Sequence, residues 1–366
     1  MLDPGGADHD LLARLRLIRT PGVGPVTYRQ LLARFGTPDA ALVAIPDLAR
    51  RGGGSPPRIA ESGHVTREIE RVAAMGARYL LAGRGLYPAL LDAVDGAPAA
   101  LIVKGDLGLL ERRSVAIVGA RNASAAAVRF ARQLSAELGR SNIVIVSGLA
   151  RGIDTATHQG SLESGTVAVV AGGIDIFYPP ENEALQREIA ERGLLIAEQP
   201  PGTEPRARHF PYRNRIIAGL ALGTVVVEAA PKSGSLISAR YAGEYGREVM
   251  AVPGSPLDPR AQGCNLLIRE GATLIQSAAD ILEAIGPIGG IAVAQPMRAY
   301  GAERPSADAS ESERRAVTAL LGPVPVPVDE IIRQSGLSPA IVQTILLELE
   351  LAGRLERHAG GRVSLA

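Results

Sequence analysis

The stretch that decides the fold is SVAIVGARNASAAAVRFARQLSAELGRSNIVIVSGLARGIDTATHQG, residues Ser114–Gly160. It contains two β-branched runs, Val115–Val118 and Ile143–Val146, and between them Leu134 and Leu138 recur at helical spacing. Two continuous apolar strands joined by an amphipathic helix predict a parallel βαβ unit. Each strand runs into a glycine-containing loop before a helix, an arrangement that can present backbone N–H groups to an anion.

Composition sets the broad class of the chain. Its 366 residues, 46% of them hydrophobic and 21% charged, are typical of a globular protein of two or three domains. The single cysteine, Cys264, argues against a disulfide framework or a Cys-rich metal site. The acidic start MLDPGGADHD has no apolar run, and no segment has the ~18–20 apolar residues that span a bilayer, so we expect a cytoplasmic protein without membrane contact. With a net charge of +1, binding of a polyanion would need a local basic patch.

The ends of the chain predict two small domains. Residues 1–76 are helical in pattern, and the hairpin Pro21–Gly24 makes them similar to a SAM or helix-hairpin-helix domain. Such a hairpin can bind phosphate through glycine N–H groups, or it can simply join two packed helices. Residues 311–366 predict three helices and a β-hairpin, a winged-helix pattern. The third helix begins after Ser338 and carries Glu348 and Glu350 but no Lys or Arg, which favours a protein-contact or structural role over duplex binding.

The middle of the chain alternates strands with helical segments. This pattern over residues 77–286 predicts an α/β fold with a doubly wound, Rossmann-like parallel sheet. Residues 287–310, rich in Gly, Pro and Ala, are interpreted as a linker. The predicted strands are Ala77–Leu81, Ala99–Lys104, Val115–Val118, Ile143–Val146, Thr166–Ala171, Leu194–Ala197, Thr224–Glu228, Glu248–Val252 and Thr273–Ile275.

In such a sheet, ligands bind beyond the carboxyl ends of the strands, so the loops there are the candidates for function. The first loop, GARNAS, has Arg121 where a dinucleotide-binding GxGxxG motif has glycine, which argues against NAD or FAD and favours a phosphate or phosphodiester. In the second loop, Asp154 complements the dipole of the following helix or contributes to binding. His158, four residues later, is expected to form a local hydrogen bond with Asp154 and not a catalytic dyad.

Two further loops carry positive charge. RARHFPYRNR, residues 206–215, places four arginines among aromatic residues, which is typical of single-strand binding, where bases stack and guanidinium groups pair with phosphates. Alternatively, Phe210 and Tyr212 anchor that loop in the core. Lys232 precedes Ser-Gly-Ser, which predicts a small phosphate site but not a P-loop, so no ATPase activity is expected. No set of nucleophile, base and metal ligands is evident in the sequence.

These loops also carry a family resemblance. GARNAS, SGLARGIDTATHQG, FPYRNRIIAGL, PKSGSLISARYA and GCNLLIREGA, in this order, resemble the DNA-processing protein A family (DprA, also called Smf). The resemblance implies a cytoplasmic, dimeric protein that binds single-stranded DNA. Family members protect incoming DNA in natural transformation, load the RecA recombinase and help displace single-strand-binding protein. The resemblance implies no enzymatic activity, cofactor or metal.

The resemblance also implies the positions that bind DNA. One departure is that Tyr178-Pro179 is followed by Pro180, where family members often have a basic residue; either one DNA contact is missing here, or Arg206 or Arg208 supplies it. The implied DNA-binding residues are Gly119, Arg121, Asn122, Ser147, Gly148, Gly152, Asp154, Arg206, Arg208, Arg213, Asn214, Arg215, Lys232, Ser233, Gly234 and Ser235.

Two other functions remain open at this point. A nucleotide phosphoribohydrolase of the lysine-decarboxylase-like family has a similar sheet and a PGGxGTxxE signature. The nearest stretches here, AGGIDIF and PKSGSLISA, lack its glutamate, and Glu228 precedes the loop instead of following it. The other alternative is a scaffold for the recombinase with incidental DNA affinity.

Overall fold

The computed structural model describes residues 4–286, 308–358 and 360–366, with side chains from residue 9 onward. The chain divides into two compact units. One combines the segment up to Ile69 with the C-terminal segment, and the other begins at Glu70 and contains the large sheet. The two small terminal domains that the sequence predicts therefore belong to a single unit.

Helices and strands follow each other as the sequence pattern predicts. The helices are α1 (Pro4–Arg19), α2 (Pro25–Phe35), α3 (Pro38–Arg51), α4 (Ser62–Ala74), α5 (Ala89–Asp92), α6 (Ala125–Arg140), α7 (Ile153–Ser161), α8 (Glu183–Arg192), α9 (His209–Leu220), α10 (Ser235–Glu244), α11 (Gln262–Arg269), α12 (Ala278–Ala284), α13 (Glu311–Ala319), α14 (Val328–Ser335) and α15 (Pro339–Leu351). The strands are β1 (Arg78–Leu81), β2 (Ala100–Gly105), β3 (Ser114–Gly119), β4 (Val144–Ser147), β5 (Thr166–Gly173), β6 (Leu194–Gln199), β7 (Gly223–Val227), β8 (Glu248–Ala251), β9 (Thr273–Leu274), β10 (Val326–Pro327), β11 (Leu355–His358) and β12 (Arg362–Leu365).

The large sheet has nine strands in the order β1-β2-β6-β5-β4-β3-β7-β8-β9. Strands β3 to β9 are parallel, whereas β1 and β2 pair antiparallel at one edge. From β3 the chain adds strands outward to β6, then returns to the other side of β3 with β7. The direction of winding thus reverses between β3 and β7, which confirms the predicted doubly wound, Rossmann-like sheet.

The centre of the sheet is buried on both faces. Ala116 and Val118 pack in one apolar cluster, and Val115 and Ile117 pack in another. Alternate side chains of a strand point to opposite faces, so β3 has helices on both sides. This burial explains why β3 is a continuous apolar run in the sequence.

The winged helix, with its small sheet in the order β10-β12-β11, is present as predicted. Ser338 caps α15, since its side chain accepts a hydrogen bond from the backbone N–H of Ile341. Helix α15 packs on α3 so closely that a Cβ built on Gly52 would lie 2.1 Å from the carbonyl oxygen of Glu348. Arg354 Nη1 donates to the Gly52 carbonyl at 3.0 Å. Helix α15 is therefore engaged in a protein contact within its own unit.

Most of the predicted linker, residues 287–307, lies outside the described residues. The end of it is described and is packed. Asp308 forms ion pairs with Arg34 and Arg51, Ala309 is buried, and Ser310 caps α13.

No helix in the described part of the chain is both long enough and apolar enough to cross a membrane.

Candidate nucleic-acid interface

The loops after β3, β4, β5 and β7 meet at the carboxyl edge of the parallel sheet, and the N-terminal half of α9 lies among them. We call this surface the rim and define it by the loops Gly119–Asn122, Ser147–Gly152 and Lys232–Ser235, together with Arg206–Phe210. The predicted site residues other than Arg213, Asn214, Arg215 and Asp154 lie on the rim, and those four lie on the helices directly behind it.

The sequence predicts that RARHFPYRNR is a loop whose four arginines pair with phosphates, and the structure differs from that prediction. Only its first part is irregular, because α9 begins at His209. Arg213 and Arg215 are buried, with 6% and 8% of their surface exposed. Arg215 donates to the carbonyl of Gly96 and to Glu198, so it faces the interior. The apolar residues that follow at helical spacing are the sequence signal for this helix.

Arg213 connects α9 to two strand ends. Its Nη1 donates to the carbonyl oxygen of Gly148, at the end of β4, and at 2.9 Å to that of Val169 in β5. Burial lowers the pKa of Arg213 to about 10, with the charge of Asp154 opposing the shift. The guanidinium is therefore charged at neutral pH and adds a fixed positive charge behind the rim.

Two backbone N–H groups of the second loop are already bonded to a side chain of the chain itself. The N–H groups of Gly148 and Ala150 both donate to the Asp154 carboxylate, at 3.2 and 3.3 Å. Asp154 is buried, and burial raises its pKa while the charge of Arg213 opposes that shift. Asp154 thus acts as an internal anion that fixes the shape of the loop.

A carboxylate also accepts a backbone hydrogen bond in the first loop. The carboxylate of Glu228, directly after β7, accepts hydrogen bonds from the backbone N–H of Ser124 at 2.8 Å and from its hydroxyl at 2.6 Å. Ser124 is the N-cap of α6. The N–H of Ser124, at the start of α6, is therefore already bonded to a carboxylate of the chain itself.

A small cavity opens on the rim between cationic and aromatic side chains. Its lining includes Arg121, Arg213, Tyr178, Phe210 and Pro205. The Arg121 guanidinium carbon lies 5.1 Å from the centre of the Phe210 ring, and the Tyr178 ring is 5.8 Å from that of Phe210. Arg121 is exposed, so it presents a cation beside two aromatic faces.

The Lys232 loop is joined to the same helix. Asn214 Nδ2 donates to the carbonyl oxygen of Gly234 at 3.1 Å, and the hydroxyls of Ser233 and Ser235 are 2.8 Å apart. Lys232 is exposed at the end of β7, the neighbour of β3. Helix α9 therefore touches the loops after β3, β4 and β7 through Phe210, Arg213 and Asn214.

The remaining predicted residues divide into exposed and buried groups. Arg206, Arg208 and Asn122 are exposed. Arg206 and Arg208 both lower the pKa of His209, although burial is the larger cause, so both cations lie close to the start of α9. Ser147 is fully buried and donates to the carbonyl oxygen of Ile117 at 2.6 Å.

Sequence reasoning did not single out two further features that hold the second loop in shape. Leu149 has a left-handed backbone with φ of 56°. Its carbonyl oxygen accepts a hydrogen bond from Asn182 Nδ2 at 2.9 Å. Tyr178 was noted only for the proline that follows it, and nothing in the sequence placed its ring against Phe210.

The expected hydrogen bond between Asp154 and His158 does not form. His158 Nδ1 instead pairs with Thr166 Oγ1 at 2.7 Å, and the ring is buried. Burial, aided by the charge of Arg213, lowers the pKa of His158 to about 3. Within the described ranges, no group of His, Cys, Asp and Glu side chains is arranged to hold a metal ion.

Comparison with known proteins places this arrangement in a family. A family model described as DNA recombination-mediator protein A matches residues 78–286. The chain belongs to this family. Residues 8–71 match a DprA-like N-terminal HHH domain, and residues 301–361 match a DprA winged helix domain. The resemblance stated from the sequence is thereby confirmed, and so is the three-part architecture.

Relatives extend along much of the chain. It is 46% identical over 198 residues to the DNA processing protein DprA of Streptococcus pneumoniae, covering 54% of this chain and 70% of the relative. It is 32% identical over 378 residues to the protein Smf of Synechocystis, covering 93% and 95%.

Two solved structures resemble it. The X-ray structure of DprA from Streptococcus pneumoniae has a TM-score of 0.58 at 41% identity and covers 61% of this chain and 78% of that one. DprA from Helicobacter pylori, whose structure is described as giving insight into its single-stranded DNA binding mode, has a TM-score of 0.52 at 29% identity and covers 56% and 93%.

Proposed function

We propose that this protein is a single-stranded DNA-binding recombination mediator, and that it holds the strand at the rim without transforming it. The observation that carries the proposal is the exposed Arg121 guanidinium over the Phe210 ring, with Tyr178 beside them and the buried charge of Arg213 behind. Unstacked bases can lie on aromatic faces while guanidinium groups pair with phosphates. The single-stranded DNA binding described for the Helicobacter pylori relative supports the same ligand here.

The exposed and buried residues have different roles in this proposal. Arg121, Arg206, Arg208 and Lys232 contact phosphates, and Phe210 and Tyr178 stack on bases. Gly119 and Asn122 lie beside Arg121, and Ser233, Gly234 and Ser235 surround Lys232, so these residues complete the two phosphate-binding loops. The buried residues Ser147, Asp154, Arg213, Asn214 and Arg215, with the glycines Gly148 and Gly152, position the loops.

Arg206 and Arg208 are the candidates for the basic contact that Pro180 does not provide. Pro179 and Pro205 line the same cavity, and Arg206 follows Pro205 directly. We propose that Arg206 or Arg208 supplies the missing cation.

The family resemblance supports the partners in the proposal. They are the RecA recombinase, single-strand-binding protein and a second copy of this chain, and the setting is the bacterial cytoplasm. Each of these partners is tested by its own binding measurement.

The primary test compares single-stranded with duplex oligonucleotides of one sequence by gel shift, using the full chain and a chain that ends before residue 311. We expect preference for the single strand with and without the C-terminal segment. If about five phosphates are neutralised, log affinity falls with log salt at a slope of roughly −3 to −4, since each single-strand phosphate contributes about −0.7. Equal binding of duplex, or a slope near zero, would contradict the proposal.

The competing phosphoribohydrolase function has less support. It needs a glutamate after a glycine turn, whereas Glu228 precedes its loop and is bonded to Ser124. Release of a nucleobase from AMP above background would overturn the non-enzymatic interpretation.

A further inference from the structure

Glu228 occupies a special place in the sheet. A doubly wound sheet reverses its direction of winding at one point, and ligands of such folds bind in the crevice there, beyond the carboxyl ends of the strands. In this protein the reversal lies between β3 and β7. Glu228 is the first residue after β7, and Ser124 ends the loop that follows β3.

The carboxylate of Glu228 lies where an anionic ligand of that crevice would bind. Its two oxygens accept hydrogen bonds from the N–H and the hydroxyl of Ser124, at 2.8 and 2.6 Å. The Ser124 hydroxyl in turn accepts from the N–H of Ala127 at 3.1 Å, in the first turn of the 16-residue helix α6. A helix of this length has a partial positive charge at its N-terminus, which attracts phosphate as readily as carboxylate.

The backbone of Glu228 supports a dedicated role for its side chain. Its φ of 51° lies in the left-handed region, which glycine adopts freely and which is unfavourable for a long side chain. The guanidinium of Arg260 interacts electrostatically with the same carboxylate. Asp258 is the main cause of the raised pKa of Arg260, and the charge of Glu228 adds to that shift. Arg260 is itself paired with Asp258, so removal of the Glu228 carboxylate would leave the N–H of Ser124 at the start of α6 without its acceptor.

We propose that Glu228 is a specificity-determining residue that excludes free phosphate and the pyrophosphate groups of nucleotides from the crevice. The chain fills the crevice with its own anion, so phosphates can bind only at the side-chain cations of the rim. A strand reaches several of these cations at once, whereas a mononucleotide reaches one or two. This inference rests on the proposed function, and it explains how a Rossmann-like sheet would favour a polynucleotide over a nucleotide.

The test uses Glu228→Gly in the full chain, because glycine suits the left-handed backbone and removes the carboxylate. Pyrophosphate binding is measured by calorimetry at constant ionic strength, and pyrophosphate is then titrated against a bound fluorescent single strand. We expect pyrophosphate to bind the variant about tenfold or more tightly than the parent chain, which corresponds to about 1.4 kcal/mol. We also expect it to compete with the strand only in the variant.

A second variant makes the result decisive. Glu228→Gln keeps an oxygen that can accept from Ser124 but removes the charge, so its gain in pyrophosphate affinity should be smaller than that of Glu228→Gly. A folded Glu228→Gly protein without that gain overturns the proposal. If Glu228→Gly does not fold, a folded Glu228→Gln protein that binds pyrophosphate no more tightly than the parent chain overturns it. Failure of the parent chain to bind the single strand would overturn the proposed function, whereas the pyrophosphate comparison would still test the exclusion by Glu228.

Discussion

Arg213 donates from the middle of α9 to the backbone carbonyl of Gly148, the first residue after β4. The contact is so close that a Cβ built on Gly148 would lie 1.7 Å from Arg213 Nη1. A side chain at position 148 would therefore require the Arg213 guanidinium to move. One arginine holds a functional loop against the helix that also contributes Phe210 to the rim.

We expect Arg213→Met to destabilise the sheet-containing unit. It fills much of the same volume but leaves the carbonyl oxygens of Gly148 and Val169 without their donor, which costs about 1–3 kcal/mol for each buried group left unsatisfied. Urea unfolding followed by circular dichroism measures the loss. Arg240→Met, at an exposed position on α10, is the matched control and should change the free energy of unfolding by less than about 0.5 kcal/mol. Equal stability of the two variants would contradict a role for Arg213 in holding the loop.

Arg121→Ala should weaken single-strand binding without affecting stability, because the Arg121 side chain is exposed and packs on the Phe210 ring. Loss of one phosphate contact should make the log–log salt slope shallower by about 0.7, and the loss should be similar for all base sequences. Fluorescence anisotropy over a salt series measures both effects. Arg140→Ala is the control, since Arg140 is exposed at the opposite end of α6. An unchanged slope for Arg121→Ala would remove this residue from the path of the strand.

The sequence was sufficient to predict the strands and the topology of the large sheet. Runs such as Val115–Val118 are buried on both faces, so their composition alone identifies them. The family motifs likewise identified the loops at the carboxyl edge, because glycine and charged residues cluster there in a specific order. Both signals are local in sequence.

The contacts made by the charged residues could not be predicted in the same way. Arg121 and Arg213 are both arginines, and local sequence composition does not distinguish them. Arg121 is exposed, whereas Arg213 is buried and bonds to a carbonyl oxygen 65 residues away along the chain. Asp154 and Glu228 accept hydrogen bonds from backbone N–H groups of two of these loops, and the sequence pattern does not show either pairing. Such pairings depend on tertiary packing, which periodicity does not encode. The helix pattern of α9 was available in the sequence, but the arginine cluster suggested a loop instead.

Gly152→Ala should disturb the first and second loops together. Gly152 has φ of 75°, and its added Cβ would lie 2.4 Å from the carbonyl oxygen of Ala120. Because that neighbour is backbone, the Arg121 loop must shift, and we expect reduced single-strand affinity together with a lower melting temperature. Gly243→Ala, in the last turn of α10, is the control, because its added Cβ would lie 3.8 Å from Val249 Cγ2, an ordinary van der Waals distance. If both variants bind alike, the close approach of the two loops is not needed for the site.

Glu348 provides a prediction for the other unit. Its side chain is fully buried in α15 and pairs with Arg314 at 2.7 Å. Glu348→Ala leaves Arg314 without its partner, and removing one member of a buried pair costs roughly 3–5 kcal/mol. Thermal unfolding should show a lower melting temperature for the terminal unit, with single-strand affinity unchanged, since the proposed contacts lie in the unit with the large sheet. Glu356→Ala, at an exposed position of β11, is the control. A loss of single-strand binding in a folded Glu348→Ala protein would instead assign the winged helix to the DNA path.

His158 makes the stability of the sheet-containing unit depend on pH. Its pKa is lowered from 6.5 to about 3 by burial and by the charge of Arg213, and among the described residues its Nε2 has no hydrogen-bond partner. Above pH 6.5 the ring is neutral in both the folded and the unfolded chain. As the pH falls from 6.5 towards 3, the unfolded chain takes up a proton that the folded chain does not, so the free energy of unfolding decreases by up to about 1.4 kcal/mol per pH unit.

Urea unfolding between pH 7 and 4 should therefore show a shallower pH dependence for His158→Gln than for the parent chain, whereas His64→Gln, at an exposed position, should retain the parent slope. Identical slopes for His158→Gln and the parent chain would mean that this ring takes up its proton at the same pH in the folded and the unfolded chain.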